Sequence, residues 1–535
     1  MSTQARYIVH SSSPPEGKEE WEKVYKDIQR SVVAAVEQVE AAWVRAPISP
    51  YDSVYTGLTG LALMQYHIAS VSHTVLHPRS PALDREATPT TGDSKAAYQM
   101  PLDPLRLRRE ADINLYTVVH QTRIPRAVQD GAHASFIETA VGRAVLVVAR
   151  CLQLEASLAD MVGESEADVR ALRRLGRHWD ASVRLLWDAL GRVGVEDGVG
   201  DEGDGGSEVL YGRAGFLYGL LYLRKALEGL EVGPGEESSE ERRQVVRELT
   251  GDGNLTRVAD VIVQRGRVGA RRYAKEVGED RAPPLMWRWH GKAYLGGAHG
   301  VFGILQMLLS CPEAVIQKHI PDILTEVDWI LACQESQGNW SGKAPGHKPS
   351  VGSSDLVQWC HGAPGAIILL STVLSRACSP NLYYTLQRDL VTRIQFAIQK
   401  AADLVYTQGL LRKGLGLCHG VSGSVYALLS ASSALSIHYT ALGKPLKFDL
   451  GAADADSGYL KKAVHLAHLA IRAGQLTEAG EMRVPDRPWS LYEGIAGMCC
   501  AWVNVLGRLA EPEEGEGGGA SCGRASGMPG YDDLL

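Results

Sequence analysis

The sequence predicts an all-α protein, an (α/α)7 toroid of helical hairpins whose inner helices each start at a glycine turn. Three observations lead there. A glycine-punctuated motif running straight into an apolar segment recurs along most of the chain. Amphipathic segments with helical periodicity lie between its copies, one outer helix for each glycine-led inner one. Strand-like alternation is scarce. A string of such hairpins left open would expose apolar end faces, and closing it into a ring covers them.

Taken in order, residues 1–18 are polar, contain Pro14 and Pro15, and read as a flexible arm. Residues 19–43 carry helical spacing through Trp21, Val24, Tyr25, Ile28, Val32, Val36 and Val39. The first glycine unit follows at Tyr55-Thr56-Gly57-Leu58-Thr59-Gly60. Further clear copies are LYGRAG (210–215), YLGGAHG (294–300), WCHGAPG (359–365), GLCHGVSG (416–423) and SLYEGIAG (490–497). A degraded copy stands at 136–142, where Thr139 replaces the first glycine. Outer helices are expected at 180–193, 314–333, 381–406 and 459–473. The stretches 73–106, 196–208 and 231–241 read as inserted loops, and 511–535, with its Glu-Gly runs, as a disordered tail. One domain therefore spans 19–510, and the inner-helix N-termini share a mouth where backbone amides favour anions.

Composition excludes several classes. The 535 residues are 45% apolar and 22% charged, too apolar for general disorder. A net charge of -7 with interspersed signs gives no electrostatic footprint for nucleic acid. The first residues lack the apolar core of a secretory signal, and no apolar run is long enough to span a bilayer, so a cytoplasmic location is expected. Cysteines at 151, 311, 333, 360, 378, 418, 499, 500 and 522 form no disulfide framework, and reduced thiols are the expectation.

Two copies of the motif carry Cys-His-Gly, at 360–362 and 418–420. Two thiols and an imidazole suffice for a catalytic zinc that keeps its fourth position open, and Cys360, Cys418 and His419 fit if adjacent entrances face one another. Equally, the cysteines read as small buried residues and the histidines as turn hydrogen-bonders. From the residues alone both readings stand.

The set of motifs resembles the signature of the LanC-like (lanthionine synthetase C-like) family in its eukaryotic form, from about Tyr55 to Trp502, with the repeats in the same order. The resemblance implies a seven-hairpin α/α barrel and one Zn2+ held by Cys360, Cys418 and His419, with His361 outside the ligand set. It implies addition of a thiol, with glutathione as co-substrate, to dehydroalanine or dehydrobutyrine in peptides or proteins, including those arising from phosphorylated serine or threonine. It marks His299 as the acid that protonates the adduct and Lys413 as a glutathione contact. Arg483, in a stretch resembling the family's, and Arg213 are candidates to receive a phosphate or carboxylate by bidentate hydrogen bonds. Glu493 reads as a helix cap, and Trp289, Tyr294 and Trp359 as packing. The alternatives are a glutathione- or peptide-binding regulatory protein with structural zinc, and a lanthipeptide cyclase.

Overall fold

The computed structural model describes residues 5–75, 102–159, 166–195, 205–230, 237–346, 356–377, 386–441, 457–509 and 527–534. Seven inner helices occupy Leu58–Val75, Ala140–Ala159, Arg213–Glu228, Val301–Leu309, Ala363–Ala377, Val421–Ala441 and Ile495–Leu509. They alternate with outer helices Lys18–Val44, Pro104–Thr122, Trp179–Arg192, Asp252–Val277, Ile320–Ala332, Arg388–Gln408 and Ser457–Leu469. Four shorter helices, Glu166–Gly176, Glu237–Leu249, Glu313–Ile316 and Ala473–Glu478, extend the outer layer. Among the described residues there are isolated β-bridges and no strands.

The two layers differ as their sequences require. Every residue of Val301–Leu309 is buried, because an inner helix touches neighbours on all sides. The outer helix Lys18–Val44 buries only Trp21, Val24, Ile28, Val32, Ala35, Val36 and Val39, a stripe at three- and four-residue spacing. The degraded copy is a genuine unit: Ala140–Ala159 starts where the motif predicts, with Thr139 Oγ donating to the Ser135 carbonyl where a glycine stands in the other copies.

Closure is visible in the backbone of the seven helix entrances. Tyr55 N–H donates to Ile137 O at 3.1 Å, Ser135 to Tyr211 at 3.0 Å, Val209 to Ala298 at 3.1 Å and Gly297 to Trp359 at 3.1 Å. Cys360 then donates to Cys418 at 3.2 Å, Cys418 to Tyr492 at 2.9 Å, and Tyr492 back to Tyr55 at 3.1 Å. These bonds form a circle, and the first and last inner helices pack against each other to seal it. Entrances can approach this closely only where the turn leading into the helix lacks a side chain. A Cβ at Gly296 would fall on the Cys360 carbonyl oxygen of the next entrance, and one at Gly416 on that of Tyr492.

Three expectations change. Residues 5–17 are docked: Ile8 is buried, its N–H donates to Leu410 O at 2.8 Å, and Arg412 N–H donates to Arg6 O at 3.0 Å. The apolar Ile8 and the unpaired backbone at 410–412 supply what the polar composition hid. Residues 527–534 of the supposed tail lie in the core, with Met528 and Tyr531 fully buried; residues 510–526 lie outside the described residues. Of the expected insertions, 76–101, 196–204 and 231–236 lie outside the described residues, while helices already run from Pro104 and Glu237, and 205–208 is packed.

The closing seam contains a titratable group. His67, on the first inner helix, pairs through Nε2 with Asn504 Oδ1 of the last at 2.9 Å, and burial pushes its pKa down to about 4. An imidazole that stays neutral in the fold but charges near its ordinary value when unfolded stabilises fully above that value. Its contribution is lost as pH falls from about 6.5 to about 4, on the order of 3 kcal/mol in all. Denaturant titrations of wild type and His67→Gln across this window are expected to show a steeper acid loss for wild type; parallel curves would remove His67 from the seam's pH response.

Candidate metal centre

The ring of entrances decides which side chains meet. Because Cys360 donates its backbone N–H to Cys418 O, the two Cys-His-Gly turns lie side by side. The ligating atoms of Cys360, Cys418 and His419 all fall within 4.8 Å of one another. Both cysteines are buried, and His419 is half-buried. The sulfurs receive hydrogen bonds: Gln358 Nε2 donates to Cys360 Sγ at 3.4 Å, and the Tyr55 hydroxyl bonds to Cys418. Burial, and then the adjacent Cys360, push the Cys418 thiol well above its ordinary range. Two buried sulfurs held together with hydrogen-bond donors gain most from a thiophilic cation between them. Two thiolates, an imidazole and an open fourth position are a donor set that fits zinc.

His361, beside Cys360, stays out of the set. Burial lowers its pKa to about 4, and its ring lies 5.5 Å from that of Tyr294.

His299 stands at the neighbouring entrance, tied to the first Cys-His-Gly turn by the Gly297–Trp359 hydrogen bond. Its Nδ1 lies 3.0 Å from Glu208 Oε2. Glu208 is buried and also accepts the backbone N–H groups of Leu210 and Tyr211, each at 2.7 Å. A carboxylate fixed by two amides holds one nitrogen of the imidazole and leaves Nε2 for a substrate. Trp289 lies parallel to the imidazole with centroids 5.4 Å apart, and Tyr211 is parallel to both. Trp289 is carried by a tight turn through His290 and Gly291, both at positive φ. Trp289, expected only to pack, thus walls the candidate acid. Glu138, half-buried nearby, has a carboxyl pushed up by burial to about 7.

The basic candidates separate. Lys413 and Arg483 are exposed on neighbouring segments: Arg412 O accepts Arg483 N–H at 2.7 Å, and its N–H reaches Arg6 O. Arg6, Lys413 and Arg483 therefore lie on adjoining segments, and Arg6 escaped notice because its segment looked like a loose arm. Arg213 does not belong there. It is fully buried, with Nε donating to Val193 O at 2.6 Å, Nη1 to Gly206 O at 2.9 Å and Nη2 to Val195 O at 3.1 Å. Saturated by backbone carbonyls, it ties a loop to its helix and has no reach to a substrate, which corrects its assignment as a substrate contact.

Sequence reasoning also missed Glu208 and Tyr55. Glu208 closes an acidic, glycine-rich run read as a solvated loop, although its place before LYGRAG matches that of Ser53 before the first unit, whose Oγ accepts the Thr56 N–H at 3.4 Å as Glu208 accepts that of Tyr211. Asp52 caps its helix through Leu58 N at 2.5 Å and Thr59 N at 3.2 Å.

Comparison with known proteins agrees with this architecture. The family model described as "Lanthionine synthetase C-like protein" matches residues 192–508, more than half of the chain. The chain belongs to the lanthionine synthetase C-like family. It is similar to a zebrafish (Danio rerio) protein named "Glutathione S-transferase LANCL1", at 26% identity over 56% of this chain and 59% of the relative. It is also similar to "LanC-like protein GCL1" of Arabidopsis thaliana, at 28% identity over 56% of this chain and 55% of that protein. The chain thus spans little more than half the length of either relative. Like the fold expected of a LanC-like protein, the described part is helical throughout, and no described helix is long and apolar enough to cross a membrane.

Two measurements check the centre. Atomic absorption on purified protein is expected to find stoichiometric zinc, and Cys418→Ala to lose it. By contrast Arg213→Met, which removes the guanidinium's hydrogen bonds to the carbonyls of Val193, Val195 and Gly206, is expected to lower the melting temperature by several degrees while zinc content per folded molecule stays unchanged.

Proposed function

We propose that this LanC-like protein adds the thiol of glutathione to dehydroalanine or dehydrobutyrine residues in peptides or proteins, with zinc held by Cys360, Cys418 and His419. The observation that carries the reading is the convergence of that donor set with His299, itself held by a buried carboxylate, on adjoining entrances of one ring. The similarity to a relative named glutathione S-transferase supports the choice of thiol.

Bound at this site, Zn2+ would supply the Lewis acidity that turns a thiol into a thiolate near neutral pH. The protein's own groups account for the remaining chemistry. Attack of the thiolate at the β-carbon forms the S–C bond and moves the double-bond electrons toward the substrate carbonyl, leaving an enolate. His299 Nε2 delivers a proton to the α-carbon, and solvent, which received the thiol proton, restores it. Glu208 keeps the ring oriented throughout. The amino ends of seven inner helices, which start at the mouth, favour the anions at each stage. Lys413 and Arg483 suit the carboxylates of glutathione or a phosphate on the peptide, and elimination of phosphate before addition is an extension of the same reading.

The decisive experiment incubates the protein with glutathione and a dehydroalanine peptide and follows peptide mass. Addition of one glutathione mass is expected, abolished by a zinc chelator and by His299→Asn. Glu208→Gln should lower kcat by about a hundredfold with zinc retained, since the imidazole loses the group that orients it. A peptide that stays unmodified, or a His299→Asn protein of full activity, overturns the reading; retained glutathione binding without turnover points to a regulatory binding protein.

A further inference from the structure

Residues 527–534 lie on the axis of the ring. Gly530 sits against Phe136 of the second unit, and Asp533 accepts the Tyr218 hydroxyl of the third at 2.8 Å. Tyr531 meets Trp359 of the fifth, Asp532 meets Ser430 of the sixth, and Pro529 O accepts the Tyr492 hydroxyl of the seventh at 2.8 Å. Only an axial position allows contact with units on opposite sides of a closed ring.

The segment is built to stay there. Met528 N–H donates to Asp532 Oδ1 at 2.7 Å, which folds the chain back on itself, and Lys225 Nζ donates to Asp533 O at 2.7 Å. Two carboxyls carried into a protein interior are costly unless hydrogen-bonded, and both are.

What rests on the segment is the metal centre. The Tyr531 ring stands edge-on to Trp359, with centroids 4.9 Å apart at 84°, and Trp359 immediately precedes Cys360. Tyr492, pinned by its hydroxyl to Pro529, accepts the Cys418 backbone N–H through its carbonyl and stacks at 5.0 Å on Tyr55, whose hydroxyl bonds to Cys418. Each of the two sulfur ligands is thus one residue, or one hydrogen bond, from a ring that the axial segment supports.

We propose that residues 527–534 form the floor of the metal centre and that Tyr531 is a positioning residue for Cys360 through Trp359 and, because the Trp359 ring lies 5.8 Å from that of Tyr492, for Cys418 as well. The proposal rests on the assignment of those cysteines as ligands and is independent of the substrate. Truncating Tyr531 leaves a void on the axis that the surrounding helices, bonded into a ring, close only in part. The two sulfurs then lose the wall that fixes their separation.

The test compares Tyr531→Ala, Tyr531→Phe and a chain ending at Ser526 with wild type. Three quantities are read: Co2+ affinity against a chromophoric chelator, the thiolate-to-cobalt absorption band, and the rate at which iodoacetamide alkylates Cys360 and Cys418 in metal-free protein. Tyr531→Ala and the shortened chain are expected to bind Co2+ about tenfold or more weakly, with an altered band and faster alkylation, while Tyr531→Phe stays near wild type. A Tyr531→Ala protein with wild-type affinity, spectrum and alkylation rate overturns the proposal. Should the shortened chain fail to fold, the Ala and Phe pair decides alone. Should wild type take up no cobalt, the metal assignment falls, and the alkylation rates still decide whether the segment braces the two thiols.

Discussion

The hydrogen bond from Tyr492 N–H to Tyr55 O turns a row of helical hairpins into a ring. Without it, the row of entrances would end in an unpaired buried donor on one side and an unpaired acceptor on the other, a cost of the kind that leaves sheet edges open to association. With it, each entrance has a partner on both sides. The spacing between entrances becomes a property of the circle, and no single loop sets it. Glycine follows from this constraint, since only a turn without a Cβ lets the carbonyl of the next entrance pass, as Gly296 does for Cys360 and Gly416 for Tyr492.

The proposed chemistry occupies a small arc of that circle. The fourth entrance carries His299, the fifth Cys360, and the sixth Cys418 with His419; the third adds Glu208 from just outside its turn. In the proposed function, side chains drawn from residues 208–419 serve one site without any of them lying on a long loop. Their relative placement is inherited from backbone hydrogen bonds between entrances, which orders the donor atoms before any ion binds. Such preorganisation lowers the free energy that binding must supply.

Much of this was legible in the sequence, for reasons that differ from residue to residue. The hairpin count was readable because each unit needs its own glycines, a local requirement written seven times, even where Thr139 blurs one copy. Cys360, Cys418 and His419 were readable as a set through their duplicated triplet and their resemblance to a family, whereas the contact that joins them is a bond between main chains and leaves no mark on residue type. Arg213 misled because a charged residue beside a turn looks solvated, while its guanidinium is spent on three carbonyls. Glu208 hid at the end of an acidic run. Met528 and Tyr531 hid behind a Glu-Gly stretch that set the expectation for everything after it, and Ile8 was masked by a polar arm.

The axial position of residues 527–534 has a consequence for assembly. They follow all seven hairpins along the chain, and the Tyr492–Tyr55 closure joins positions separated by most of its length. Contacts between such distant positions form slowly, because a large loop must close before they repay its entropy. During synthesis, six hairpins can emerge with their apolar inner faces still uncovered on one flank and the axis still empty. That interval, more than the finished fold, is when the chain is exposed to aggregation, and it makes this architecture a natural client for chaperones that shield a nascent chain.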